Sequence, residues 1–224
     1  MCKMTLAVLC AAGLALGLAG AAQASLITGV SAAASTEWEA YSGGPQRPAS
    51  RTTDNSGMSD SGSPTTENFS TDFATPPSPT HGKSETTSMW MSKEGVVVTD
   101  QWISFTFSTA QTIAEFAVWN YNEANYTNRS IKGLTVYAYD SSNALVGSLT
   151  TQFAQAGGTA TEPGQSFVPS TNWTNVKKVT FDVATNWGGN AVGLGEARFY
   201  TPEPATLALL GFGGLGMLLS RKRR

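Results

Sequence analysis

The chain has 224 residues, of which 41% are hydrophobic and only 13% charged. That length admits one medium domain or two small ones, and the low charge is unusual for a cytosolic enzyme. Of fourteen basic residues, Lys3 sits near the start and four occupy positions 221–224, which leaves nine against sixteen acidic residues and a net charge of −7 in between. A Lys-poor, acidic body argues against nucleic acid as a partner and suits a soluble, exported protein.

In chain order, the first element is MCKMTLAVLCAAGLALGLAGAAQAS. Lys3 gives a positive start, residues 6–18 are apolar, and Ala22-Gln23-Ala24 is a small-x-small cleavage site, so residues 1–24 read as a secretory signal peptide. An uncut N-terminal anchor is the alternative. Leu9 is too bulky for a lipid-attachment box at Cys10. Both cysteines, Cys2 and Cys10, fall inside the signal, so the mature chain is expected to have neither disulfide nor thiol nucleophile.

Residues 27–34 predict a first strand. Residues 42–88 are rich in Ser, Thr, Gly, Pro, Asn and Asp and predict a long polar surface loop. From Gln101 onward the pattern alternates. In QWISFTF, Ile103, Phe105 and Phe107 share one face and Trp102, Ser104 and Thr106 the other. TIAEFAVWNY puts Phe116 and Val118 together, and LTVYAYD sets Leu134, Val136 and Ala138 opposite Thr135, Tyr137 and Tyr139. ALVGSLT, VKKVTFDVA and EARFY continue the series. Period two with β-branched and aromatic enrichment predicts antiparallel sheets, and no window shows a helical stripe. Residues 25–200 are therefore expected to form one all-β domain, an antiparallel jelly-roll β-sandwich.

The chain closes with TPEPATLALLGFGGLGMLLSRKRR. Residues 205–220 carry no charge and, as one short transmembrane helix, cover about 24 Å of a hydrocarbon core of about 30 Å. Arg221, Lys222, Arg223 and Arg224 form a basic stop that stays cytoplasmic, which places the domain outside. Pro202 and Pro204 hold the flanking chain extended around Glu203. In the closing segment 201–224, the Pro-Glu-Pro triplet, the short Gly-rich span and the Arg-rich end of residues 202–224 together closely resemble the PEP-CTERM sorting signal of exopolysaccharide-producing Gram-negative bacteria. The resemblance implies transient anchoring in the inner membrane, recognition by an exosortase that cuts near the motif, and transfer to the cell surface or extracellular matrix.

Within the domain, the order VSAAAS, DNSG, MW, QWISFTF, TIAEFAVWNYN, IKGLTVYAYDSSN, VTFDVATNWGG, GLGEARFY resembles the discoidin, or coagulation factor 5/8 type C, group of galactose-binding-like jelly rolls. Two departures stand out: the 42–88 loop is long, and Asp140-Ser141-Ser142-Asn143 replaces the usual Asp-Gly. The resemblance implies one structural Ca²⁺ held by Asp54 and Glu196, both hard oxygen donors, with Asn55, Ser56 and Gly57 adding carbonyls or a hydroxyl. The alternative is that Asp54 caps a turn and Glu196 is an ordinary solvated side chain.

Carbohydrate sites in such sandwiches combine loop aromatics with groups that bond hydroxyls. Trp187, in NWGGN, is the leading candidate. Tyr121, Tyr126 and Arg129, in NYNEANYTNR, follow, with Glu123 and Arg129 able to pair across that loop. Trp90 and Trp173 are weaker candidates, and Trp102 and Trp119 are expected to pack. Catalysis lacks the usual parts. His81 is the sole histidine, and there is no Gly-x-Ser-x-Gly elbow and no zinc ligand set. The expectation is a secreted, non-enzymatic surface or matrix protein that contacts exopolysaccharide or a cell-surface glycan. The alternatives are a structural matrix or biofilm protein without a specific glycan site, or a glycan-processing hydrolase.

Overall fold

A computed structural model describes residues 24–39, 45–59, 79–83 and 88–202. The expected signal peptide and the segment after Pro202, including Glu203, Pro204 and the basic stop, lie outside the described residues. No helix among the described residues is long and apolar enough to cross a membrane.

Ser25–Pro202 forms one compact unit. Its strands are β1 (Ser25–Leu26), β2 (Val30–Ala34), β3 (Trp38–Glu39), β4 (Pro45–Arg47), β5 (Thr80–His81), β6 (Trp90–Met91), β7 (Trp102–Ile113), β8 (Glu115–Asn120), β9 (Ile131–Tyr139), β10 (Leu145–Gln152), β11 (Glu162–Pro163), β12 (Gln165–Phe167), β13 (Trp173–Asn186) and β14 (Gly193–Thr201). One five-stranded sheet runs β1-β14-β8-β12 with β6 also on β14; the other runs β10-β9-β13-β7-β2. Every pairing within both sheets is antiparallel.

The alternation read from the sequence decides which residues meet between the sheets. Ile103, Phe105, Phe107, Phe116, Val118, Leu134, Val136, Ala138, Val179, Phe181 and Phe199 are all buried in one cluster. Phe105 packs edge-on against Phe181 at 5.1 Å, and Phe107 against Phe199 at 5.2 Å. Ring pairs at such angles add to the gain from burying their area. Trp173 belongs to this core, lying over Phe116 at 6.3 Å.

Two expectations change. The single first strand becomes two. Gly29, at φ +70°, turns the chain from β1, on β14, to β2, on β7, so the segment crosses between sheets. The 42–88 stretch is not simply a surface loop, since Arg47, Ala49, Thr52, Met58 and His81 within it are buried. The physical reason lies in β14, whose outward residues Glu196, Arg198 and Tyr200 are themselves buried, so that face of the sheet carries a cover of chain.

The registers define two ends. Asn120 opposite Leu194, Ile131 opposite Asn186 and Ala34 opposite Ile103 mark one end, where the loops 35–37, 92–101, 121–130 and 187–192 gather. Ser25 opposite Thr201 marks the other, where the described chain both enters and leaves.

Candidate functional site

All four predicted glycan residues lie at the loop end, Tyr126 and Trp187 at its surface and Tyr121 and Arg129 buried beneath it. The loop after β8 is fastened by Asn120. Its amide donates to Ile131 O and Ala154 O, both at 2.8 Å, and its Oδ1 accepts from the Tyr121 and Ile131 N–H groups. Such a doubly satisfied buried amide fixes where the following residues stand. Ser130 Oγ then donates to Tyr121 O at 2.8 Å, closing the base of the loop.

Beneath the loop lies a charged network. Arg47 donates from Nη1 to Glu123 Oε2 at 2.7 Å and from Nη2 to Glu123 Oε1 at 3.1 Å, a two-pronged pairing suited to guanidinium geometry. The Tyr121 hydroxyl donates to Glu123 Oε2. Arg129 stands 3.8 Å from the same carboxylate and donates to Glu94 Oε1 at 2.6 Å. Glu123 and Arg129 thus approach each other, but as buried groups, and Arg47 is the nearer partner. Burial draws the Arg47 guanidinium below its ordinary pKa while the Glu123 carboxylate pulls it back up, and an arginine stays cationic throughout. Arg47 and Glu94 carried no signal in the sequence; only the folded chain sets them beside Glu123.

What reaches solvent is a smaller set. Tyr126 is 46% exposed and lies 4.2 Å from the Arg129 guanidinium, ring against cation. Trp187 is half-buried. Its backbone N–H donates to Ser130 O at 3.3 Å, and Lys132 Nζ sits 4.7 Å from its ring. Gly189 N–H donates to Asn128 O at 2.9 Å, sewing the two loops together. Tyr121 is a correction. It is fully buried, so it cannot touch a ligand and instead positions Glu123. Trp90 and Trp119 are fully buried too, and the indole N–H groups donate to Thr36 O and Pro79 O.

The expected calcium pair sits elsewhere, on the outer face of β14. Asp54 Oδ1 accepts the Ser56 N–H at 2.8 Å and Oδ2 faces Arg51 at 3.1 Å. Glu196 is buried with Oε1 3.9 Å from Arg198 Nε, and Arg198 Nη2 donates to Asn55 Oδ1 at 2.7 Å. A cavity of ≈110 Å³ opens beside Asn55, Glu196 and Arg198. Calcium needs six to eight oxygen ligands converging on one point. Here the positive charge facing Asn55 and Glu196 comes from Arg198, and a second cation would be repelled. Arg198 therefore competes with any calcium ion for Asn55 and Glu196. His81 lies in the same layer, fully buried, with Nδ1 2.7 Å from Gly82 O and Nε2 3.3 Å from Ser88 O. Burial holds its imidazole below the ordinary value of 6.5, with the bonds to Gly82 and Ser88 opposing.

Trp102 is the second correction. It is 38% exposed on the outer face of β7 rather than packed. The alternation of β7 requires this, because Ile103 and Phe105 on either side of Ser104 face the core.

Comparison with known proteins agrees with this architecture. No curated protein matches the sequence. Among solved structures, the family 32 carbohydrate-binding module of NanJ from Clostridium perfringens, in complex with galactose, is similar with a TM-score of 0.50 and 15% identity over 79% of this chain and 98% of that one. A further family 32 module from Clostridium perfringens, in complex with GalNAc-β-1,3-galactose, gives 0.49 and 14% over 79% and 100%. The F5/8 type C domain of a Bacteroides fragilis protein gives 0.48 and 12% over 81% and 99%. The first of these supports the all-β sandwich fold. The Pro-Glu-Pro triplet, apolar span and basic close of residues 201–224 match the PEP-CTERM protein-sorting motif, and the chain carries that sorting motif.

Proposed function

We propose that this chain is an exported, non-catalytic carbohydrate-binding protein that is delivered by its signal peptide, held in the inner membrane of a Gram-negative cell by residues 205–224, and cut near Pro202, Glu203 and Pro204 by an exosortase. The domain then serves at the cell surface or in the matrix, contacting exopolysaccharide through its loop end. The observation that carries the binding reading is the pairing of exposed Tyr126 with the buried Arg129–Glu123–Arg47 network, beside half-buried Trp187. A ring held by a fixed cation is an ordered stacking face, and rigid aromatic faces with a few fixed polar groups are what sugar sites use. The sandwich likeness to a galactose-bound module adds support.

The test is retention of the mature protein on the organism's own exopolysaccharide and on immobilised galactose. Tyr126→Ala combined with Trp187→Ala is expected to weaken retention about tenfold. Undiminished retention would count against the loop end. A second reading, a structural matrix protein without a glycan site, draws on the fact that the polar groups of Tyr121 and Arg129 are already spent inside the protein. Wild-type protein that binds neither matrix favours it.

A further inference from the structure

The outer face of the second sheet is open and unexplained by the loop end. β9, β13 and β7 present three rows there. Thr135, Asp182 and Trp102 face one another across the strands; Tyr137, Thr180 and Ser104 form the next row; Tyr139, Lys178 and Thr106 form the third. The face encloses a shallow cavity of ≈280 Å³. Tyr137 and Tyr139 lie 6.3 Å apart with their planes inclined by 37°. Lys178 Nζ sits 4.9 Å from the Tyr139 ring and donates to Asn143 Oδ1 at 3.0 Å. Asp182 is exposed and makes no ion pair among the described residues.

Solvent-facing aromatics on a sheet often stabilise it by pairing across strands. That account covers Tyr139 with Lys178. It does not cover Trp102, whose cross-strand neighbour on β13 is Asp182, or Tyr137, whose neighbours are Thr180 and Ser148. Trp102 stacks on no ring or cation among the described residues. Trp102 and Tyr137 stand two strands and one row apart, about 12 Å on sheet geometry, farther than one sugar ring can bridge.

We propose that this face, through Trp102, Tyr137 and Tyr139 with Asp182 and the Ser104 and Thr180 hydroxyls, binds a neutral polysaccharide chain laid across the strands. One carboxylate and one ammonium leave the face without net charge, so it suits a hydroxyl-rich neutral chain rather than an anionic one. Separated rings with hydroxyls and a carboxylate between them match alternating sugar faces and hydroxyl edges, the pattern of a chain rather than of a single terminal sugar. The site is distinct from the loop end and does not rest on it.

Affinity electrophoresis of the mature chain tests this, in gels cast with hydroxyethylcellulose, soluble xylan or galactan. Wild-type protein is expected to be retarded in at least one gel. Trp102→Ala with Tyr137→Ala is expected to weaken that retardation about tenfold, while Trp102→Phe with Tyr137→Phe, which keeps the rings, retains most of it. Both positions are solvent-facing, and circular dichroism checks that each variant folds. Retardation in none of the three gels, or equal retardation of wild type and the alanine variant, overturns the proposal; the former is also the outcome if another part of the chain covers the face. Loss only in Tyr126→Ala with Trp187→Ala likewise overturns it and leaves the loop-end reading standing. Loss only in the Trp102 and Tyr137 variant sustains it whatever the loop end does.

Discussion

At the scale of single residues, the buried charges make the sharpest predictions. Glu123 faces Arg47 and Arg129 with its side chain only 10% exposed. Glu123→Gln keeps the shape and removes the carboxylate charge facing the buried Arg47 guanidinium, while Arg129 keeps Glu94; the change costs about 3 kcal/mol, read as a lower urea midpoint at unchanged slope. An unchanged midpoint would show the network to be solvated. His81 sets a pH dependence. Its folded pKa lies below its unfolded value of about 6.5, so the unfolded chain binds the proton more readily. The stability gained by keeping the ring neutral is complete above about pH 6.5 and is lost as pH falls through the folded value. The melting midpoint is expected to fall between pH 7 and pH 5, and to fall less steeply in His81→Gln. Equal slopes in the two proteins would remove His81 as the cause.

At the scale of elements, the long strands were legible because period two is a direct consequence of the pleat. The faces read for β7, β8 and β9 are those observed, down to Tyr137 and Tyr139 on the outside. Trp102 shows what hydrophobicity hides: composition assigns a tryptophan to the core, but its place between Gln101 and Ile103 on an alternating strand turns it outward. Asn143, at φ +62°, takes the left-handed position expected of the missing glycine in the turn after β9. The covering segment around β4 and β5 was illegible for a different reason. Several of its buried residues are polar, Arg47, Thr52 and His81 among them, and Arg47 finds its partner Glu123 far along the chain. Gly57 in that segment, at φ +83°, would put a Cβ 2.8 Å from the buried His81 ring. Gly57→Ala is expected to destabilise by about 1–2 kcal/mol from the backbone alone, seen as a melting midpoint several degrees lower. A midpoint within a degree of wild type would mean that Gly57 does not hold its positive φ in the folded chain.

At the scale of the whole molecule, the guanidinium beside Glu196 bears on metal dependence. Melting curves with and without EDTA decide between Arg198 and an ion as the partner of Glu196, and coinciding curves would speak for Arg198. A midpoint that rises with added calcium would show that Arg198 gives way to the ion. The sorting motif makes the cellular prediction. Replacing Pro202, Glu203 and Pro204 with alanine should strand the protein in the inner membrane, as judged by fractionation, whereas unchanged release would count against processing at the triplet. The motif was readable in the sequence because three features coincide within residues 201–224; which glycan the domain meets was not, because stacking rings look alike whether they serve a ligand or a core.

Ser25 and Thr201 lie side by side on neighbouring strands, one residue beyond the expected signal cut and one residue short of Pro202. The expected signal cut and the proposed exosortase cut would therefore both fall near one corner of the fold. If the triplet is cut as proposed, a fluorescent reporter fused ahead of Ser25 is expected to crowd it and slow the cut, whereas a label placed among the loops around Asn190 leaves that corner clear.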